Sequence, residues 1–94
     1  MIRSYGDRDT KRFASGEKVR QWDPIRHQAE KRLRVLDAAT CLGDLGTLNS
    51  NRLETLKGNR QGQYSIRINE RWRICFAWPK DEPGPTEVEI VDYH

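Results

Sequence analysis

The chain has 94 residues, with 17 Lys and Arg against 14 Asp and Glu and a formal net charge of +3. That length allows a single domain, residues 1–94, with one compact core, and leaves no room for a multidomain enzyme. No stretch has the length needed to span a bilayer and no signal-peptide segment stands out, so no membrane role is expected and the expected location is cytoplasmic.

"MIRSY" reads as a short strand. "GDRDTKRFASG" reads as a short helix between two glycines, with Asp7 or Asp9 able to cap it. "WDPIRHQAEKRLRVLDAAT" is the clearest helix. Asp23 stands at its N-cap and Pro24 at N1, where a missing N–H costs nothing. Ile25, Ala29, Leu33 and Leu36 then recur at helical spacing. Glu30 and Arg34 stand one helical turn apart with the acid first, a favourable pair. "CLGDLGTLNSNR" reads as a loop.

After it the period changes to two. "RLETLK" is a strand and "GNRQG" a turn. "QYSIRI" alternates Tyr64, Ile66 and Ile68 against Ser65 and Arg67. "RWRICFAW" alternates Trp72, Ile74, Phe76 and Trp78 against Arg73, Cys75 and Ala77. "PKDEPGP" is a loop and "TEVEIVDY" the last strand. The expected fold class is α+β, in the order β-α-α-β-β-β-β: an antiparallel meander packed on N-terminal helices, with one sheet face covered and one open. Arg73 falls on the parity opposite the large aromatics, so it is expected on the open face.

Arg dominates the cations, and Arg suits bidentate phosphate contact, so nucleic acid is the expected partner class. Cys41 and Cys75 fit no CxxC spacing, and Cys75 lies within an apolar strand as a small buried thiol. A reduced compartment fits. His27 and His94 do not make a zinc site. There is no G-x-S-x-G, no P-loop and no dinucleotide fingerprint. No metal and no cofactor are expected.

The block "LKGNRQGQYSI", the block "NERWRICF" and the ending "DYH" together resemble toxins of the RelE/ParE superfamily, and within it the HigB branch. The resemblance covers roughly the second half of the chain. It implies a RelE-like fold and a toxin of a type II toxin-antitoxin system that cleaves mRNA in the ribosomal A site. Its implied partners are a cognate HigA-like antitoxin, the ribosome and mRNA.

Such cleavage needs no metal, because the RNA's own 2′-hydroxyl attacks the adjacent phosphate. The site must then supply a base, positive charge for the phosphorane and an acid for the leaving oxygen. Arg73 suits the phosphorane charge, and the matching arginine does this in similar toxins. Lys57 suits the scissile phosphate. Tyr93 suits stacking on a base or a phosphate contact. His94, as a final residue, frays unless tied down; the shared DYH ending instead implies a general acid, and the adjacent α-carboxylate favours the protonated ring. The resemblance departs at Glu54, where the HigB pattern has a histidine. Other ribonuclease branches place a glutamate there as general base, and Glu54 is assigned that role, provided the strand bends or ends before Lys57. Arg60, Arg67 and Arg71 are assigned to the RNA backbone. Two other functions stay open: a ParE-like gyrase inhibitor, and a non-catalytic module that only binds antitoxin.

Overall fold

The alternation in the second half of the chain builds a four-stranded antiparallel sheet in the order β1-β2-β3-β4. It is seen in a computed structural model that describes residues 1–92. The strands are β1 (Glu54–Thr55), β2 (Gln63–Arg67), β3 (Trp72–Ala77) and β4 (Thr86–Asp92). The helices precede them: α1 (Arg8–Ala14), α2 (Arg26–Ala38) and α3 (Leu42–Gly46). The expected α+β class and the meander are what forms.

One sheet face carries the core. Ile66 of β2, Ile74 and Phe76 of β3, and Val88 and Ile90 of β4 join Phe13, Trp22, Ile25, Ala29, Leu33 and Leu36 in one buried cluster. Tyr64 and Phe76 lie tilted at 6.0 Å, and Phe13 meets Trp22 edge to face at 5.5 Å. Such aromatic pairs add about 0.5–1.5 kcal/mol beyond the area they bury.

Each helix is set by local chemistry. Asp7 caps α1 by accepting a 2.8 Å bond from the Thr10 amide. The helix closes with Glu17 N–H donating to the Arg12 carbonyl and Gly16 N–H to that of Phe13. This arrangement needs a left-handed residue at position 16, and Gly16 supplies it with φ +100°. Before α2 the chain differs from expectation. Asp23 and Pro24 lie within a 3-10 turn, Arg20–Ile25, and α2 starts at Arg26 with no side-chain cap. The Asp23 carboxylate instead faces Lys18 Nζ at 3.5 Å, and the tight turn buries both Trp22 and Ile25. Ala29, Leu33 and Leu36 form the buried stripe of α2 as the spacing requires. Glu30 pairs with Arg26 at 3.2 Å rather than with Arg34.

Three further expectations are corrected. Residues 41–52 are not simply a loop but hold α3 and a 3-10 turn, Asn49–Asn51. Asp44 stabilises the start of α3 by accepting bonds from Thr40 Oγ1 and the Thr40 amide, at 2.7 and 2.8 Å, and these bonds hold its carboxyl below the usual range. Leu45 is buried against the core. The stretch "MIRSY" makes one isolated parallel bridge, Tyr5 to Val88, rather than a strand. β1 is also shorter than "RLETLK", ending at Thr55.

The bridge of the N-terminal segment meets β4 at an irregularity of that strand. Between the Cys75–Glu89 and Ala77–Thr86 pairs, β4 carries one extra residue, and Glu87 takes φ 54°. This bulge turns β4 away from β3. Val88 N–H donates to the Ser4 carbonyl at 3.1 Å, and Gly6 N–H to the Val88 carbonyl at 2.9 Å. At Gly6 a Cβ would sit 2.5 Å from the Glu89 side chain, so a larger residue there would have to displace that side chain. Farther along, Ile90 N–H donates to the buried Thr10 Oγ1 at 3.0 Å. The N-terminal segment and α1 thus close the outer edge of β4, an edge otherwise free to pair with another chain.

Replacing Thr10 by Val keeps the shape and leaves the Ile90 amide buried without its acceptor. Urea unfolding is expected to show a loss of about 1–3 kcal/mol for Thr10→Val, with Thr10→Ser keeping most of the stability.

Candidate functional site

The face of the sheet away from the helices is polar, and strand register lays it out in rows. Glu54, Ser65, Cys75 and Glu89 pair in sequence across β1 to β4. Arg67, Arg73 and Val91 form the adjacent row. Arg73 therefore lies on the expected face. It is not, however, a solvated surface side chain, being only 7% exposed. Its Nε donates to Ser65 Oγ at 2.8 Å and one terminal nitrogen donates to the Arg52 carbonyl. The other terminal nitrogen faces Glu54 Oε1 at 3.6 Å. The acid beside Arg73 is thus Glu54, and Glu89 is engaged elsewhere.

These partners have a physical necessity. A guanidinium cannot shed its charge, and taking it out of water costs several kcal/mol unless acceptors surround it. Ser65 opposite Cys75 leaves space for the long side chain to lie down along the sheet. The Arg52 carbonyl is aimed by an unusual backbone, φ 49° and ψ 50°. That left-handed conformation costs a non-glycine residue roughly 1–2 kcal/mol and marks a position held by its surroundings. Glu54 is half exposed at 54% of its side chain, against 9% for Arg73. The arrangement is a fixed cation below and an accessible carboxylate beside it. Sequence reasoning found Arg73 and Glu54 and missed the other two partners. Ser65 could have been found as the small polar residue between Tyr64 and Ile66. The Arg52 carbonyl carries no sequence signal.

The remaining predicted residues are placed as follows. β1 ends before Lys57, which satisfies the condition set for Glu54 and Lys57. Lys57 is exposed and precedes the 3-10 turn Gly58–Arg60. Arg60 crosses the face to Glu89 Oε2 at 2.9 Å and also bonds Gln63 at 3.0 Å. Arg67 reaches Glu70 only at 4.0 Å. Arg71 makes a two-pronged pair with Asp92, at 2.9 and 2.7 Å, and lies over the Trp72 ring at 5.3 Å. This pair pins the turn between β2 and β3 to the end of β4. Tyr93 and His94 lie outside the described residues. Among the described residues no group of three or more His, Cys, Asp or Glu is placed to hold a metal ion.

The shape of this face limits its ligands. A cavity of about 350 Å³ lies between the N-terminal segment, α1 and α2, lined by Ile2, Tyr5, Phe13, Leu33, Arg34 and Asp37 among others, and it shares none of the groups above. Small-molecule sites are concave and mostly apolar. An open, charged sheet face suits an extended polyanion instead. No helix among the described residues is long and apolar enough to cross a membrane.

Comparison with known proteins follows the same line. The family described as "RelE-like toxin of type II toxin-antitoxin system HigB" matches residues 3–94. The chain is similar to Toxin HigB-1 of Vibrio cholerae, 34% identical over 80 residues, covering 83% of this chain and 84% of that one. It is also similar to Endoribonuclease HigB of Proteus vulgaris, 36% identical over 63 residues, covering 67% of this chain and 65% of that one. Among solved structures it resembles the YoeB-YefM complex from Staphylococcus aureus, with a TM-score of 0.56 at 18% identity, covering 100% of this chain and 98% of that one. At that identity the likeness concerns the fold.

Cys75 offers a check on how closed the floor of the site is. It is fully buried, and burial pushes its thiol up from the ordinary value, against the opposing pull of Arg60. Cys41 is exposed. A disulfide reagent such as DTNB should therefore titrate only Cys41 in the folded protein at neutral pH, with Cys75 reacting on unfolding. Equal rates for both thiols would contradict the packing described.

Proposed function

The chain belongs to the RelE-like HigB toxins of type II toxin-antitoxin systems, and on that premise we propose that it is an endoribonuclease that cuts mRNA in the A site of the ribosome. The observation that carries the reading is the Arg73–Glu54 pair: a buried, permanent cation beside an accessible carboxylate on an open sheet face.

The chemistry follows from those groups. Glu54 accepts the proton of a ribose 2′-hydroxyl. The 2′-oxygen attacks the neighbouring phosphorus and a bond to the 5′-oxygen breaks. Negative charge develops on the non-bridging oxygens, where Arg73 and Lys57 offer positive charge in place before the reaction begins. The 5′-oxygen leaves with a proton, a step assigned to His94, and Tyr93 contacts the substrate. The products are a 2′,3′-cyclic phosphate and a 5′-hydroxyl. The nucleophile is part of the substrate, so the scheme requires no metal. Arg60, Arg67 and Arg71 are assigned to backbone phosphates, and Arg60 must exchange Glu89 for RNA to serve there.

A separate reason favours the ribosome as the setting. In-line attack requires the 2′-oxygen, phosphorus and 5′-oxygen to be aligned, and free RNA seldom holds that geometry. A ribosome that fixes the mRNA supplies the alignment, which is worth orders of magnitude in rate. The cognate antitoxin, of HigA type, is the partner that restrains the activity. The protein works in the cytoplasm, where ribosomes and mRNA meet, and residues 1–94 act as a single domain.

Primer extension on mRNA from translating ribosomes tests the reading. Arg73→Ala is expected to lower cleavage by roughly 10²–10³-fold, the usual loss of a preorganised charge donor. Arg73→Lys should not restore it, because an ammonium lacks the planar fork that Ser65 and Arg52 hold. Glu54→Gln should cost about 10²–10⁴-fold as loss of a general base. Deleting His94 should slow leaving-group departure. In-frame cuts by the unaltered protein that persist in Arg73→Ala would overturn the assignment, and the absence of any cuts would overturn the nuclease function itself.

A further inference from the structure

The geometry of Arg73 traces back to a residue on no strand. Arg73 donates to the Arg52 carbonyl, and that carbonyl points correctly only because Arg52 holds φ 49° and ψ 50°. A non-glycine residue keeps such a backbone only where its neighbours fix it. The neighbour here is Asn51, which is fully buried. Its Nδ2 donates to the Leu45 carbonyl at 3.0 Å, and its Oδ1 accepts from Arg32 at 2.6 Å. One planar amide thus ties α2 and α3 to the turn at Asn49–Asn51. A side chain that both donates and accepts in one plane is needed, which Asp and Leu cannot provide.

We propose that Asn51 is a positioning residue for Arg73: by holding the turn against Arg32 and Leu45 it fixes the Arg52 carbonyl, and through it the orientation of the Arg73 guanidinium. This inference rests on the ribonuclease reading for its kinetic consequence but not for its structural one. Asn51 touches no substrate. Its effect is to keep the guanidinium plane from swinging off the Arg52 carbonyl toward solvent, which would spoil the approach of a phosphate to a fixed cation.

The test combines a spectroscopic signature with kinetics. In ¹⁵N-labelled protein the Arg73 Nε–Hε cross-peak, assigned by its loss in Arg73→Lys, reports the bond to Ser65. Asn51→Asp keeps the shape and the acceptor for Arg32 but removes the donor to Leu45. It is expected to shift and broaden that cross-peak and to lower kcat on ribosome-bound mRNA by roughly 10–100-fold, the scale of a small misplacement, with KM little changed. Ala29→Gly, inside the core stripe of α2, serves as the control that loosens the fold without touching the turn; it should leave both readouts in place. If Asn51→Asp fails to fold, Asn51→Ser is read in the same way. An unmoved cross-peak with unchanged kcat overturns the inference, as does an equal response from Ala29→Gly. If the unaltered protein does not cut mRNA, the nuclease reading fails, and the cross-peak alone then decides whether Asn51 positions Arg73.

Discussion

A guanidinium folded beneath a sheet surface is the constraint from which much of this architecture follows. Its charge cannot be removed, so every nearby element must supply an acceptor or stay small. Ser65 and Cys75 are small and lie in the row beside it. β1 is only two residues long, yet it sets Glu54 opposite Ser65 and within reach of Arg73. The turn before β1 holds an unfavourable backbone so that a carbonyl faces inward. Arg67 stands directly across from Arg73, a repulsive placement that the nearby carboxylates of Glu54 and Glu70 offset.

The same strands carry two incompatible demands on opposite faces. On one, Ile66, Ile74, Phe76, Val88 and Ile90 need dry packing. On the other, charged groups need partners and access. Strand periodicity separates them without compromise, because successive side chains point to opposite sides. The bulge at Glu87 is what keeps β4 in phase with both demands. After it, Val88 and Ile90 return to the core while Glu89 takes its place beside Cys75 on the open face.

Reading the sequence located both faces, since alternation from Tyr64 to Trp78 depends only on pleat geometry. It placed the core stripe of α2 likewise, from the 3.6-residue period of a helix. What it missed depended on tertiary partners. Nothing local says that Glu30 prefers Arg26 to Arg34. Residues 1–5 form a bridge instead of a strand, next to a bulge in β4 that no local pattern announces. The 41–52 segment looked like a loop because its Gly and Asn residues dominate, whereas a buried Leu45 and the Asp44–Thr40 bonds impose a short helix. Arg73 was assigned to the right face by parity, but parity is silent on burial. Its depth comes from side chains and a carbonyl contributed by three separate segments, and no spacing rule links them. Alternation also carried the last strand to Tyr93, with His94 at its end, and both lie outside the described residues.

The stitching of the two ends has a consequence for the order of folding. Glu87 N–H donates to Ser4 Oγ across 83 residues, and Ile90 N–H reaches Thr10 across 80. Contacts of such separation form only after nearly the whole chain is available. During synthesis the first residues wait, with α1 lacking the strand that docks it, until β4 has emerged. The open face is finished by the same late strand, since Glu89 and Asp92 hold Arg60 and Arg71 in place. A nascent copy therefore lacks both its closed edge and its charged face until β4 has joined the sheet, after every other element has been made.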